Sequence, residues 1–304
     1  MLKGQKPEKK EKRLKMFVYG MAGVGKTLAA LRFPNSYIID TEKGTDFYHD
    51  TISKSGSAVL QTTNPDDVKE ELKALLTTKH QYKTLIIDPI TQIYNAVQEK
   101  WTKLFEKYSK TQKDSEVQDF GMRYWSKVKS EFKAIQRLIL ALDMNVIITS
   151  HQKDVYGQGF NKIGVTYDSM KGEDYLYDLV FRIDRRGDQR VAVKIKERAD
   201  IGAEKFPASF EWTYENFCKF YGKEIVEKES IPVELADKGT VDRVRNLVNM
   251  LRIDESVIEK WYEKAKVSDF SEMTKSQIDS CEKYLNNMIE KINPADKPKK
   301  GAKK

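Results

Sequence analysis

Lys26 and Thr27 close the run GMAGVGKT, residues 20 to 27. An ammonium and a hydroxyl directly after spaced glycines are the groups that grip a polyphosphate. The spacing is G-x-x-x-x-G-K-[ST], in which backbone N–H groups curl inward around phosphate oxygens. Gly20, Met21, Ala22, Gly23, Val24, Gly25, Lys26, Thr27 and Leu28 therefore form the expected nucleotide cradle. Lys26 would bridge the β- and γ-phosphates, and Thr27 would place its hydroxyl on Mg²⁺, so ATP with Mg²⁺ is the expected ligand pair.

Further carboxylates and amides stand at the ends of apolar runs. Asp88 ends the run TLIID, where a nucleotide-binding sheet places the carboxylate of the Mg²⁺ shell; a strand-ending Asp that caps the next helix is the plainer reading. Glu42 lies two residues beyond Asp40 in IIDTE, in position to orient a water on the γ-phosphate, although DTEKG is also ordinary turn composition. Gln152 follows IITSH, where an amide can sense a γ-phosphate and relay its presence to the next loop. His151 beside it reads as a structural histidine. If strand ends converge on one crevice, Asp40, Glu42, Asp88, His151 and Gln152 all face the phosphates.

After Gln152 come Lys153, Tyr156, Phe160, Lys162, Tyr167 and Lys171, interleaved with Gly157 and Gly159. Cations for phosphates, aromatics for bases and glycines for mobility suit a platform for single-stranded DNA; an ordinary exposed connection is the alternative. Lys107 to Gln118 reads as a polar loop, a candidate for a second DNA contact.

These groups need a sheet to position them. Apolar runs at residues 16–19, 37–40, 84–88 and 145–150 alternate with helical segments, which is the pattern of a largely parallel α/β sheet. One helix spans about Pro65 to Thr78, and another carries Ile93, Val97, Trp101 and Leu104. In a third, Trp125, Val128, Phe132, Ile135, Ile139 and Leu142 recur at steps of three and four, predicting one buried face. Leu179–Ile183 and Val191–Ile195, separated by the turn RRGD, predict a hairpin that extends the sheet, and a further strand is expected near Ser209–Trp212. Four segments result: a basic arm at 1–15, an ATPase core at 16–226, a small helical domain at 227–293 with helices near 240–252, 255–266 and 274–292, and a Lys-rich tail at 294–304. Leu247, Leu251, Ile258 and Trp261 are the expected core of the small domain.

Of the 304 residues, 39% are hydrophobic and 33% charged, enough for a core and without an apolar run that could span a membrane. Two cysteines without metal-type spacing fit a reducing compartment, and no signal segment follows the basic start, so a cytoplasmic protein is expected. The net charge of +8 lies largely at the two ends and so argues only weakly for a polyanionic partner.

The succession GMAGVGKT, IIDTE, LIIDPIT, IITSHQ and a strand pair ending VKIKER resembles the ATPase core of the RecA/Rad recombinases over residues 14 to 215. More closely, it resembles the short, core-only relatives carried by bacteriophages, which are associated with ATP binding and single-strand annealing. The resemblance implies a RecA-like P-loop NTPase fold, with Glu42 as catalytic glutamate and Gln152 coupling ATP to a DNA-binding loop. It also implies that Lys196 and Arg198 reach a neighbouring subunit's γ-phosphate; by sequence alone they read equally as outward residues of an edge strand. His151 stands where the family usually has Asn, and the segment preceding the core is reduced to the basic arm. The implied function is a DNA-stimulated ATPase of recombination or replication in a bacterial host cytoplasm. Its implied partners are single-stranded DNA, further copies of itself with nucleotide at subunit interfaces, and a single-strand-binding or replication protein. Two other readings stay open: an accessory ATPase resembling a helicase loader, and an annealing protein that uses nucleotide only structurally.

Overall fold

The computed structural model describes residues 13–110, 114–198, 203–232, 234–265 and 267–292. The chain forms two compact units, the first ending at Pro232 and the second beginning at Val233.

In chain order the first unit contains β1 (Lys15–Gly20), α1 (Lys26–Ala30), β2 (Ser36–Asp40), α2 (His49–Lys54), β3 (Ala58–Gln61) and α3 (Pro65–Thr77). Then follow β4 (Thr84–Asp88), α4 (Ile90–Ser109), α5 (Asp114–Ala141), β5 (Asn145–Tyr156) and β6 (Lys162–Tyr167). It closes with β7 (Leu179–Arg186), β8 (Gln189–Glu197), β9 (Ser209–Glu211), α6 (Tyr214–Tyr221) and α7 (Lys223–Val226). The second unit contains α8 (Lys238–Met250), α9 (Glu255–Ala265) and α10 (Lys275–Ile292).

The sheet runs β3-β2-β4-β5-β1-β7-β8-β9, with β6 paired to the outer half of β5. From β3 to β7 neighbours are parallel; β8, β9 and β6 add antiparallel edges. The central strands are apolar without alternation because helices cover both faces. Every residue of β4 is buried. On one face Met16, Val18, Ile86, Ile147 and Phe181 pack with Phe33, Phe206, Trp212 and Phe217. α5 contributes Val128, Phe132, Ile135 and Ile139, all fully buried.

Parallel pairing also fixes where the chemistry lies. Gly20 is in register with His151 and Ile183, and Asp40 with Asp88, so these residues share the carboxyl edge of the sheet. Loops at such an edge form the ligand crevice of an open α/β sheet.

Several expectations change. The basic arm is shorter than expected: Arg13 forms a two-pronged pair with Asp143 at 3.0–3.1 Å, Leu14 is fully buried, and Lys15 starts β1. The Lys15 ammonium donates to Leu142 O and Met144 O at 2.8 and 3.1 Å, behind α5. Residues 1–12 and 293–304, and with them the tail, lie outside the described residues. β3 and α2 escaped the sequence reading because both are short and half-exposed, without a strong apolar period. The polar stretch 107–118 is largely the end of α4 and the start of α5. Trp125 is 48% exposed and so lies outside the buried stripe of α5 to which Val128 belongs.

In the second unit the buried core is Val241, Val244, Val248, Phe270, Met273, Ile278 and Leu285. Leu247, Leu251, Ile258 and Trp261 pack only partly buried around it. The helical period was right there, but the most buried stripe falls one position to the side.

Candidate active site

The loop between β1 and α1 carries two left-handed glycines, Gly23 (φ 74°) and Gly25 (φ 89°), which turn its N–H groups inward. Gly20 is glycine for a different reason. A Cβ there would stand 2.5 Å from the backbone oxygen of Ile183 on β7, a contact no rotamer can relieve. Lys26 donates to Gly20 O at 2.9 Å and Met21 O at 2.8 Å, so its ammonium lies inside the loop it would share with a phosphate. Burial lowers its pKa, against the charges of Asp88 and Glu42.

Asp88 receives Thr27 Oγ1 at 2.5 Å on one carboxylate oxygen and the Thr149 hydroxyl on the other. It is 7% exposed, and burial pushes its carboxyl up against those two hydrogen bonds and the Lys26 charge. The loop hydroxyl and the strand-end carboxylate thus meet at one point, the donor pair that suits Mg²⁺ when phosphate and water oxygens fill the remaining positions. Among the described residues no group of three or more His, Cys, Asp or Glu is arranged to hold a metal ion.

Asp40 has a different task from the carboxylates beside it. Its Oδ1 accepts Glu42 N at 3.0 Å and Gly44 N at 3.2 Å, while Oδ2 accepts Thr45 N at 2.9 Å and Thr45 Oγ1 at 2.5 Å. Burial would raise its carboxyl, yet these bonds hold it below the usual range. Asp40 pins the turn that carries Glu42. Thr41 ties the turn to the end of β4 through Asp88 O and Pro89 O.

Glu42 is half-exposed at the crevice. Gln92 Nε2 donates to Glu42 Oε1 at 2.5 Å, and His151 Nε2 lies 3.1 Å from Oε1 and 3.2 Å from Oε2. His151 thus faces the candidate catalytic carboxylate. Gln152, one residue along the strand, points to the opposite face, as alternation requires. The sequence reading gave the sensing position to Gln152 and left His151 structural; the geometry brings together Glu42, Gln92 and His151.

The stretch after Gln152 is an ordered hairpin rather than a loop. β5 runs unbroken from the crevice into it and returns as β6, with Gln152 opposite Tyr167. Tyr156 and Ile163 are exposed near its tip, 58% and 68%. Lys153 and Lys162 are exposed but paired with Asp168 and Asp154 at 3.0 and 2.8 Å. Tyr167 is not a free stacking surface: its ring meets Phe17 and Tyr19 edge-on, and its hydroxyl donates to Asp174 at 2.7 Å. Lys171 is exposed, and the Phe160 side chain lies outside the described residues. Thr91, in the first turn of α4, donates to Asp168 O at 2.8 Å and accepts from His151 N at 3.1 Å, joining the hairpin base to the end of β4.

Lys196 and Arg198 lie far from this crevice. β8 runs antiparallel to β7, so Lys196 is in register with Val180 near the start of that strand. Lys196 donates to Asp174 O at 2.7 Å; Arg198 donates to Tyr175 O and pairs with Asp178, both at 3.0 Å. The basic residue beside the phosphate loop is Arg190, at the other end of β8. In the sequence Arg190 falls between the turn RRGD and the run beginning at Val191, and nothing local distinguishes it.

Residues 12–199 match the AAA_24 family, described as an AAA domain. The chain belongs to this AAA domain family. The match ends just after β8, so the AAA domain carries every crevice residue named above and excludes the second unit. No curated protein matches the sequence. The solved structures that match include the crystal structure of the RadB recombinase, with 16% identity over 60% of this chain and 81% of that one and a TM-score of 0.34. The AAA domain is thus an α/β nucleotide-binding P-loop domain with a mostly parallel sheet, and among the described residues no helix is long and apolar enough to cross a membrane.

Proposed function

We propose that this chain is a Mg²⁺- and ATP-dependent ATPase of RecA type that acts on single-stranded DNA in recombination, annealing or replication, as in the phage relatives it resembles. The supporting observation is one continuous strand: β5 passes His151 beside Glu42 and continues as the exposed hairpin. A change at the γ-phosphate would therefore act on the base of a surface that carries cations and an aromatic ring.

ATP would be held by the N–H groups of the loop and by Lys26, released from Gly20 O and Met21 O. Thr27 and Asp88 would hold Mg²⁺, which when bound neutralises charge on the β- and γ-phosphates. Glu42, its turn fixed by Asp40, would orient the attacking water and draw its proton. Gln92 and His151 occupy the Glu42 carboxylate in the meantime. We assign them the task of restraining it until nucleotide and DNA reorder the hairpin, with Gln152 on the opposite face contributing to that coupling. Lys196 and Arg198 would serve a neighbouring copy's nucleotide only after leaving Asp174, Tyr175 and Asp178, which makes turnover slow in isolated subunits.

The test is ATP turnover with Mg²⁺, with and without a single-stranded oligonucleotide, for wild type and Glu42→Gln. Stimulation by DNA that the substitution removes is the expected result. Turnover indifferent to DNA would overturn the DNA-linked reading and favour an accessory ATPase acting through a protein.

A further inference from the structure

Arg190 lies across the phosphate loop. A Cβ built on Gly25 would stand 2.1 Å from its Nε, 2.3 Å from its Cδ and 3.3 Å from its Cζ. The guanidinium and the end of its stem therefore rest on the glycine that precedes Lys26, in space that only a residue without a side chain leaves open. Arg190 is opposite Arg185 near the tip of the β7–β8 hairpin, and both are exposed. On the same hairpin Arg182 pairs with Asp184 at 2.8 Å, and Arg185 donates to Gly187 O at 3.0 Å and lies 3.8 Å from Asp188. Among the described residues, the Arg190 side chain has no hydrogen bond or ion pair.

An arginine with no partner, pressed on a loop built to receive phosphate, has one obvious class of ligand. Its planar fork matches two phosphate oxygens at once, and it stays charged at any working pH. In a loop of this type the backbone around Gly25 faces the α- and β-phosphates, whereas Lys26 reaches toward the γ-phosphate. We propose that Arg190 binds the α/β-phosphates of the nucleotide in its own subunit, closing the phosphate loop from the β7–β8 side. It would act in cis, about 20 Å along β8 from Lys196, and would complement rather than replace any contribution from a neighbour. The proposal deepens the nucleotide-site reading and rests on it.

A group on the α/β-phosphates serves ADP and ATP alike and binds ground state and transition state equally. Its loss raises KM and leaves kcat in place. The experiment measures ADP and ATP binding by calorimetry with Mg²⁺ for wild type, Arg190→Ala, Arg190→Lys and Lys26→Ala, together with steady-state turnover and the nucleotide-free melting temperature. Arg190→Ala is expected to weaken ADP and ATP by the same factor, roughly ten- to a hundredfold for a lost charged hydrogen bond. Arg190→Lys should recover only part of it, with kcat and melting temperature unchanged. Equal affinities in wild type and Arg190→Ala would overturn the proposal, as would a loss confined to ATP, which would place the guanidinium on the γ-phosphate. If wild type itself binds no nucleotide, or Lys26→Ala binds as well as wild type, the reading of the loop fails, and that result is distinct from the other two.

Discussion

Replacing Asp40 by Asn tests whether Glu42 is placed by the turn that Asp40 holds. The carboxylate accepts four hydrogen bonds, two on each oxygen. An amide has one acceptor oxygen and must turn its NH₂ toward one pair of donors. Thr45 is 2% exposed and cannot take water in exchange, so the remaining oxygen should stay with Thr45, leaving Glu42 N and Gly44 N facing the amide. Those two N–H groups lie nearer solvent and can be partly rehydrated, so each loss falls at the low end for an unpaired donor, about 1 kcal/mol, or about 2 kcal/mol for the turn. Two kcal/mol corresponds to roughly thirtyfold in equilibrium or rate. Turnover should therefore fall by up to about thirtyfold, with little change in nucleotide affinity because the phosphate loop is untouched. Amide hydrogen exchange should quicken at residues 42 and 44 and stay slow at 45, since local opening is the event being made easier. Turnover within twofold of wild type together with unchanged exchange at 42 and 44 would refute the assignment of Asp40 as the residue that positions Glu42.

Glu42→Gln should lower DNA-stimulated kcat by about a hundred- to ten-thousandfold, the usual contribution of a general base, while ATP still binds; this is read from single-turnover kinetics beside a binding titration. Gly20→Ala must displace the β7 backbone at Ile183 O and should cost about 1–3 kcal/mol of overpacking strain, seen as a drop of about 2–4 °C in melting temperature per kcal/mol. Glu173 is fully buried, and burial pushes its carboxyl up to about 7 against hydrogen bonds from Tyr177, Gln136 and Ser169. A raised pKa in the fold means that the stabilisation is complete below the ordinary carboxyl range and is lost as pH rises through about 7. Denaturant midpoints should therefore decline between about pH 4 and pH 7.5 by the equivalent of about 3 kcal/mol, and Glu173→Gln should flatten that decline.

The parts that depend on near neighbours were legible in the sequence. Gly23 and Gly25 adopt left-handed backbone because the chain must bend within four residues, and Lys26 and Thr27 follow at fixed offsets. The apolar runs of β2 and β4 and the first half of β5 declare burial on both faces, and the period of α5 from Val128 onward declares one buried side. What failed was short or edge-placed: β3 and α2 carry too few apolar positions for a period to emerge. The hairpin of β5 and β6 has the sequence character of a loop because its outer half is exposed and its strand identity comes from pairing.

The sequence alone determined that this chain has a phosphate loop on a parallel α/β sheet, because a backbone nest and an apolar period are local properties written over a few consecutive residues. The tertiary structure decided which charged residues share the crevice. Register pairs Gly20 with His151 and Asp40 with Asp88 across long stretches of chain. The pleat then sends His151 toward Glu42 and Gln152 away from it. The antiparallel turn of β8 puts Arg190 on the loop and carries Lys196 to the far end. Such distances are set by strand order and register, which depend on the packing of the whole sheet.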